Sequence, residues 1–133
     1  MKLHNICKSV CLFLLLSPAG FAAGRHINVE FDRGQSSVHY SGEVRGNDYD
    51  VYTFSARKGQ KVQAVISAGG VYGYLFGPGI SDSVSLDKYS PDVDGDGMYI
   101  LPESGKYELR VLQTRNDARR NKVKKYDIDI LVK

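Results

Sequence analysis

The chain has two cysteines, Cys7 and Cys11, no tryptophan and only four prolines. Both cysteines fall inside a segment that reads as a leader, so the remainder must fold without a disulfide and rest on its apolar core. A thiol nucleophile and a cysteine-bound metal are thereby excluded. Only His26 and His39 lie beyond the leader, and no G-x-S-x-G or H-E-x-x-H string occurs. We expect no enzyme activity and no cofactor. The longest apolar run, Val10 to Leu16, falls far short of the about 20 residues that a membrane crossing needs.

That run belongs to "MKLHNICKSVCLFLLLSPAGFA", residues 1–22. Lys2 and Lys8 precede the apolar stretch and Gly20 and Ala22 close it, the three regions of a secretory signal. Cleavage after Ala22 is expected to leave residues 23–133, a length suited to one domain with one core and no membrane anchor. The full chain is basic by three charges. Lys2 and Lys8 leave with the leader, so the mature protein is close to neutral and its net charge names no partner. The charges are unevenly placed: residues 110–125 carry seven basic side chains and one acid, Asp117, whereas residues 82–96 carry five aspartates and Lys88. The basic stretch is short and has no interleaved aromatics, which excludes nucleic acid as a partner of an exported chain.

Apolar and polar residues alternate with period two from Ile27 onward. "INVEFD" aligns Ile27, Val29 and Phe31. Further strands are read at "SVHYSGEV", "DVYTFS", "KVQAVIS", "VYGYLF", "YELRVLQ" and "YDIDILV", with an eighth at "MYIL". Turn residues separate them, and no long amphipathic helical window appears. The pattern predicts a single all-β domain, an antiparallel β-sandwich of seven or eight short strands. Two connections are long for turns: 77–97, where "SDSVSLDKY" leaves room for a helical turn, and 114–125, "TRNDARRNKVKK".

"DVDGDGMYILPE", residues 92–103, fits the EF-hand calcium string through Asp92, Asp94, Asp96, Gly97 and Glu103. Its context does not fit. Pro91 disfavours helical geometry just before the loop, Pro102 lies where the exiting helix should run, and a turn and strand follow. We expect no metal site, the residual alternative being a weak calcium loop on Asp92, Asp94 and Asp96.

"VHYSGEVRGNDYDVYTFSARKGQKVQAVIS", "YLFGPGI" and "LPESGKYELRVLQTRNDARRNKVKKYDIDI" closely resemble the periplasmic inhibitors of g-type (goose-type) lysozyme of Gram-negative bacteria. The resemblance runs from about Ala23 to Lys133, with a broader likeness to bacterial pre-peptidase C-terminal domains, which are β-sandwiches. It implies a periplasmic non-enzyme whose partner is g-type lysozyme and which plugs that enzyme's sugar-binding cleft, protecting the cell wall; nothing in the sequence demands more than a monomer. Inhibitors of c-type lysozyme carry S-G-x-x-Y; after Ser41-Gly42 no tyrosine stands at that spacing, and in "SGKY" Tyr107 comes one residue early.

A glycosidase groove depends on acidic residues, and arginine is the side chain best suited to pair with them, through its planar fork. Read by itself, the basic 114–125 stretch is a solvated loop. With the resemblance, Arg115 and Arg119 become the expected inhibitory residues, with Asn116 and Asp117 shaping the loop. Asp48 and Tyr49, after the turn-forming Gly46 and Asn47, are a second contact. Tyr72 and Tyr74 are a third, weaker one. The competing reading from another class is an exported glycan- or peptidoglycan-binding module, calcium-dependent if the acidic loop binds.

Overall fold

A computed structural model describes residues 23–133; the expected leader, residues 1–22, lies outside the described residues. Nine strands form two packed sheets. They are β1 Ala23–Asn28, β2 Ser37–Arg45, β3 Tyr49–Ala56, β4 Lys61–Ser67, β5 Val71–Phe76, β6 Val84–Ser85, β7 Tyr99–Ile100, β8 Gly105–Gln113 and β9 Val123–Val132. A single helical turn, α1, spans Arg115–Arg119. One sheet has the order β1-β3-β8-β5-β6 and the other β2-β9-β4-β7.

The alternation that marks the strands also makes the core. Tyr107, Leu109 and Val111 of β8 point inward, opposite Tyr126, Ile128, Ile130 and Val132 from β9, and all are buried. Each such side chain contributes about 1.5–3 kcal/mol by leaving water. Across the β3-β8 pair Phe54 faces Tyr107, and their rings stack at 5.9 Å. Gly77 is what the Tyr107 ring requires: a Cβ there would lie 2.3 Å from it.

Three expectations are revised. The first strand runs over Ala23–Asn28 rather than over "INVEFD", and it pairs parallel with β3, so the sandwich is not wholly antiparallel. Ile27, Val29 and Phe31 still pack on the core, but strand pairing ends near Asn28. The segment "SDSVSLDKY" forms β6 instead of a helical turn, because Val84 and Leu86 are buried at period-two spacing. The 114–125 connection holds α1 and a tight turn through Asn121, whose φ of 54° is left-handed.

Candidate functional site

At one end of the sandwich three turns meet: Gly46–Asp48 between β2 and β3, Ala68–Gly70 between β4 and β5, and the α1 segment between β8 and β9. Thr114 caps α1, its hydroxyl accepting from the Asp117 amide at 3.2 Å. Asp117 in the first turn and Arg119 in the last suit the helix dipole, and Ala118 is buried beneath. The Asp117 carboxylate turns toward the protein, 3.0 Å from Lys124 Nζ and 3.8 Å from Lys122 Nζ. The hydrogen bond from Lys124 is the leading cause holding it below the usual carboxylate range. Lys124 also donates to the Gly69 carbonyl at 3.1 Å, and the Thr114 amide donates to the Gly70 carbonyl at 3.0 Å. The α1 segment is therefore fastened to the β4-β5 turn.

Gln113, 3 % exposed, performs the other fastening. Its Nε2 donates to the Lys122 carbonyl at 2.7 Å and to the Gly46 carbonyl at 3.1 Å. The Gly46 amide donates to the same Lys122 carbonyl at 2.9 Å, so the β2-β3 turn and the α1-β9 turn are joined. Gln113 Oε1 has no partner among the described residues.

Between the joined turns lies a depression of about 510 Å³, with Asp48, Tyr72, Tyr74, Leu112 and Arg115 among its walls. The two stretches singled out in sequence thus open on one concavity, with the two tyrosines between them. Arg115, Asn116 and Arg119 are exposed on α1. Tyr49, half-buried at the start of β3, sets its ring beside the Arg110 guanidinium at 5.6 Å. Gln113 and Arg110 were not anticipated. The signal for Gln113 was present: it occupies an inward position after Tyr107, Leu109 and Val111, where a polar residue needs a reason. The signal for α1 was Thr114 three residues before Asp117.

Beneath this end, Asp50 is wholly buried. Its carboxylate accepts from the Arg25 amide at 2.9 Å, from Arg25 Nη2 at 3.3 Å and from the Tyr126 hydroxyl. Tyr126 meets the Tyr52 hydroxyl at 2.6 Å, and burial, then the Asp50 contact, raise its pKa well beyond that of a free phenol. The cluster ties β1 to β3 and to the opposite sheet. Gly42 is needed beside it, since a Cβ there would lie 2.5 Å from the buried Tyr126 hydroxyl.

The acidic 92–103 stretch has no flanking helix; turns precede β7 and a bend follows it. Asp94 Oδ1 accepts from the Met98 amide at 3.0 Å and the Asp96 amide at 2.8 Å, which holds this carboxyl below its ordinary range. Asp92 accepts from the Ser85 amide at 3.3 Å. Among the described residues no three His, Cys, Asp or Glu side chains are grouped to hold a metal ion.

On the outer face of β2 and β9, His39 Nδ1 lies 2.8 Å from Asp129 and Nε2 3.3 Å from Asp127. The hydrogen bond to Asp129 leads the causes that raise the His39 pKa above its ordinary 6.5. Asp127 is lowered, chiefly by the Ser41 hydroxyl. The raised histidine stabilises the fold below its unfolded pKa and loses that contribution as pH rises through its folded pKa. The lowered aspartate stabilises above about 3.8 and loses its contribution as pH falls through its folded pKa. The melting temperature of the parent should therefore drop relative to that of His39→Gln between pH 5.5 and 8.5. Parallel melting curves across that window would remove the histidine's role.

These features define a small binding protein: a two-sheet sandwich that presents one built rim. No family profile matches the chain. It is 62% identical over its full length, and the full length of the other, to an inhibitor of g-type lysozyme from Escherichia coli K12. It resembles the crystal structure of a mutant of the Escherichia coli PliG, a periplasmic inhibitor of g-type lysozyme, with TM-score 0.82 and 63% identity over 83% of this chain and 99% of that one. The Salmonella Typhimurium PliG gives TM-score 0.81 at 63% identity over the same shares, and the Aeromonas hydrophila PliG gives 0.66 at 28% over 84% and 100%. The chain belongs to the family of periplasmic inhibitors of g-type lysozyme.

Proposed function

We propose that the protein inhibits a g-type lysozyme in the periplasm by inserting the rim built from Gly46–Tyr49 and α1 into the enzyme's substrate groove. The observation that carries this reading is that Asp48 and Arg115, far apart in sequence, wall one depression while Gln113 holds their loops together. Arg115 and Arg119 are exposed on α1, where they can meet groove carboxylates. Tyr49 and Asp48 extend the contact on the β2-β3 side. Asn116 adds an exposed amide between the arginines, and Asp117 sets the conformation of the turn from below.

The reading predicts selectivity. In a cell-wall lysis assay the mature protein should abolish g-type activity at near-stoichiometric amounts and leave c-type lysozyme little affected, since the S-G-x-x-Y spacing is missing. Equal inhibition of both enzymes would show that a feature common to the two grooves, rather than this rim, is being read.

A further inference from the structure

We infer that the open edge of β4 binds a short extended peptide, apolar at its inward positions and basic at its outward ones, which adds to the β2-β9-β4-β7 sheet as a further strand. Nothing in this depends on the inhibitory reading of the rim. Lys61 and Lys133 exchange main-chain hydrogen bonds at 2.8 and 3.0 Å, so the register of β4 on β9 turns the amides and carbonyls of Gln63 and Val65 toward β9 as well. On the other side the Gln60 carbonyl accepts from the Leu101 amide at 2.8 Å. By the same alternation Val62, Ala64 and Ile66 turn their main chain away from β9. β7 pairs only with Lys61 and Val62. The amides and carbonyls of Ala64 and Ile66 are thus left along an edge to which no strand is paired among the described residues.

Such edges are ordinarily blunted by charge, proline or a bulge. β2, at the far side of the same sheet, turns Glu43 and Arg45 outward, both exposed. Residues 63–67 of β4 have neither a charge nor a proline, and Val65 is 48 % exposed. The edge is one wall of a groove of about 510 Å³, lined also by Val71 and Gly73 of β5 and by the segment that follows β6. Ala64, Val71 and Leu86 give it a buried apolar lining. Free main-chain donors and acceptors beside an apolar lining fit a polypeptide strand. Residues of that strand opposite Ala64 and Ile66 share their inward side and are apolar, whereas the residue opposite Val65 faces outward. Charge selects the outward residues. The connection from β6 to β7 carries Asp87, Asp92, Asp94 and Asp96 against Lys88; Asp87 and Asp96 reach the groove, and the Lys88 ammonium lies over the Tyr89 ring at 5.1 Å. Basic side chains are the complement.

The test titrates the mature protein, followed by NMR, with acetyl-Lys-Val-Lys-Val-Lys-amide, with the same peptide N-methylated at both valines, and with glutamate in place of lysine. In antiparallel addition both valine amides donate to β4, so methylating them should weaken binding about tenfold or more, and the glutamate peptide should lose a comparable amount. Hydrogen exchange needs no variant: the amides of Ala64 and Ile66 should exchange fast in the free protein, although those of Gln63 and Val65 beside them exchange slowly, and should become protected when the lysine peptide is bound. Asp87→Asn combined with Asp96→Asn should weaken that peptide about fivefold, the more so at low salt, with lysozyme inhibition and melting temperature retained. Equal binding of the N-methylated peptide, or binding without protection of Ala64 and Ile66, overturns the edge site. So does protection of those amides that rises with protein concentration and no peptide, since a second copy then covers the edge. Displacement of the peptide by g-type lysozyme overturns the site as a separate one. A protein that binds the peptide as described but fails to inhibit lysozyme keeps the edge site and loses the rim reading.

Discussion

Arg115→Ala and Arg119→Ala should each weaken inhibition of g-type lysozyme by about 2–5 kcal/mol, because truncation leaves a carboxylate of the enzyme's groove desolvated and without its partner. Both arginines are exposed on α1, and the place of Arg119 in the last turn is a small contribution to so short a helix. Fold stability should therefore stay within about 0.5 kcal/mol of the parent. The comparison must be made with a basic residue outside the rim. Lys124 is unsuitable: its ammonium holds both Asp117 and the Gly69 carbonyl, so Lys124→Ala would disturb α1 and lower inhibition indirectly. Lys125, exposed on β9, is the better control, and its loss should cost about 0–1 kcal/mol, shrinking with added salt. Inhibition constants and melting temperatures of the three variants, measured together, decide the matter. If both arginine variants match the Lys125 control, α1 does not enter the groove.

Asp50→Ala should lower stability by about 2–4 kcal/mol, less than a fully buried ion pair would give because the Arg25 side chain is half exposed. The carboxylate itself is wholly buried and receives three donors from Arg25 and Tyr126. Its removal leaves the Tyr126 hydroxyl with Tyr52 alone and takes away the Arg25–Asp50 tether between β1 and β3, while the Thr53 hydroxyl keeps its bond to Asn28 Oδ1 at 2.8 Å. Denaturant unfolding gives the size of the loss. Hydrogen exchange gives its location, with amides of β1 released first and those of β8 least affected. Loss spread evenly over both sheets would mean that the cluster supports the whole core and is not a local clamp. Asp50→Asn, which keeps one acceptor, should fall between the two.

The strands were legible because burial on one sheet face imposes period two on side chains, and β8 and β9 show it over nearly their full length. What the alternation does not carry is pairing between distant segments. The parallel alignment of β1 with β3 joins distant segments, with Arg25 reaching Asp50 and Thr53 reaching Asn28, and nothing local to "AGRHIN" announces it. The α1 segment was read as a loop for a related reason. A turn of five residues buries only Ala118, too little for a helical periodicity, and it is held by Thr114, Asp117 and Lys124 through contacts in which polar residues do the structural part. Arg115, Arg119, Asp48 and Tyr49 were named from residue type and resemblance; that Asp48 and Arg115 share a depression could come only from the fold.

The Gln113 amide that joins two turns of the rim has a kinetic consequence. Loops that must order on contact slow productive docking, and each rotamer-rich side chain they immobilise costs about 0.5–1.5 kcal/mol at that moment. Here Gly46 and Lys122 are already bridged through one buried side chain and their own backbone. If this rim is the surface that meets the enzyme, encounter should resemble the meeting of two rigid bodies, with the association rate set by diffusion and orientation and differences among lysozymes falling on how long the complex lasts. On the proposed reading of the rim, cutting that bridge would leave its loops to order on contact, slowing docking and shortening the life of the complex.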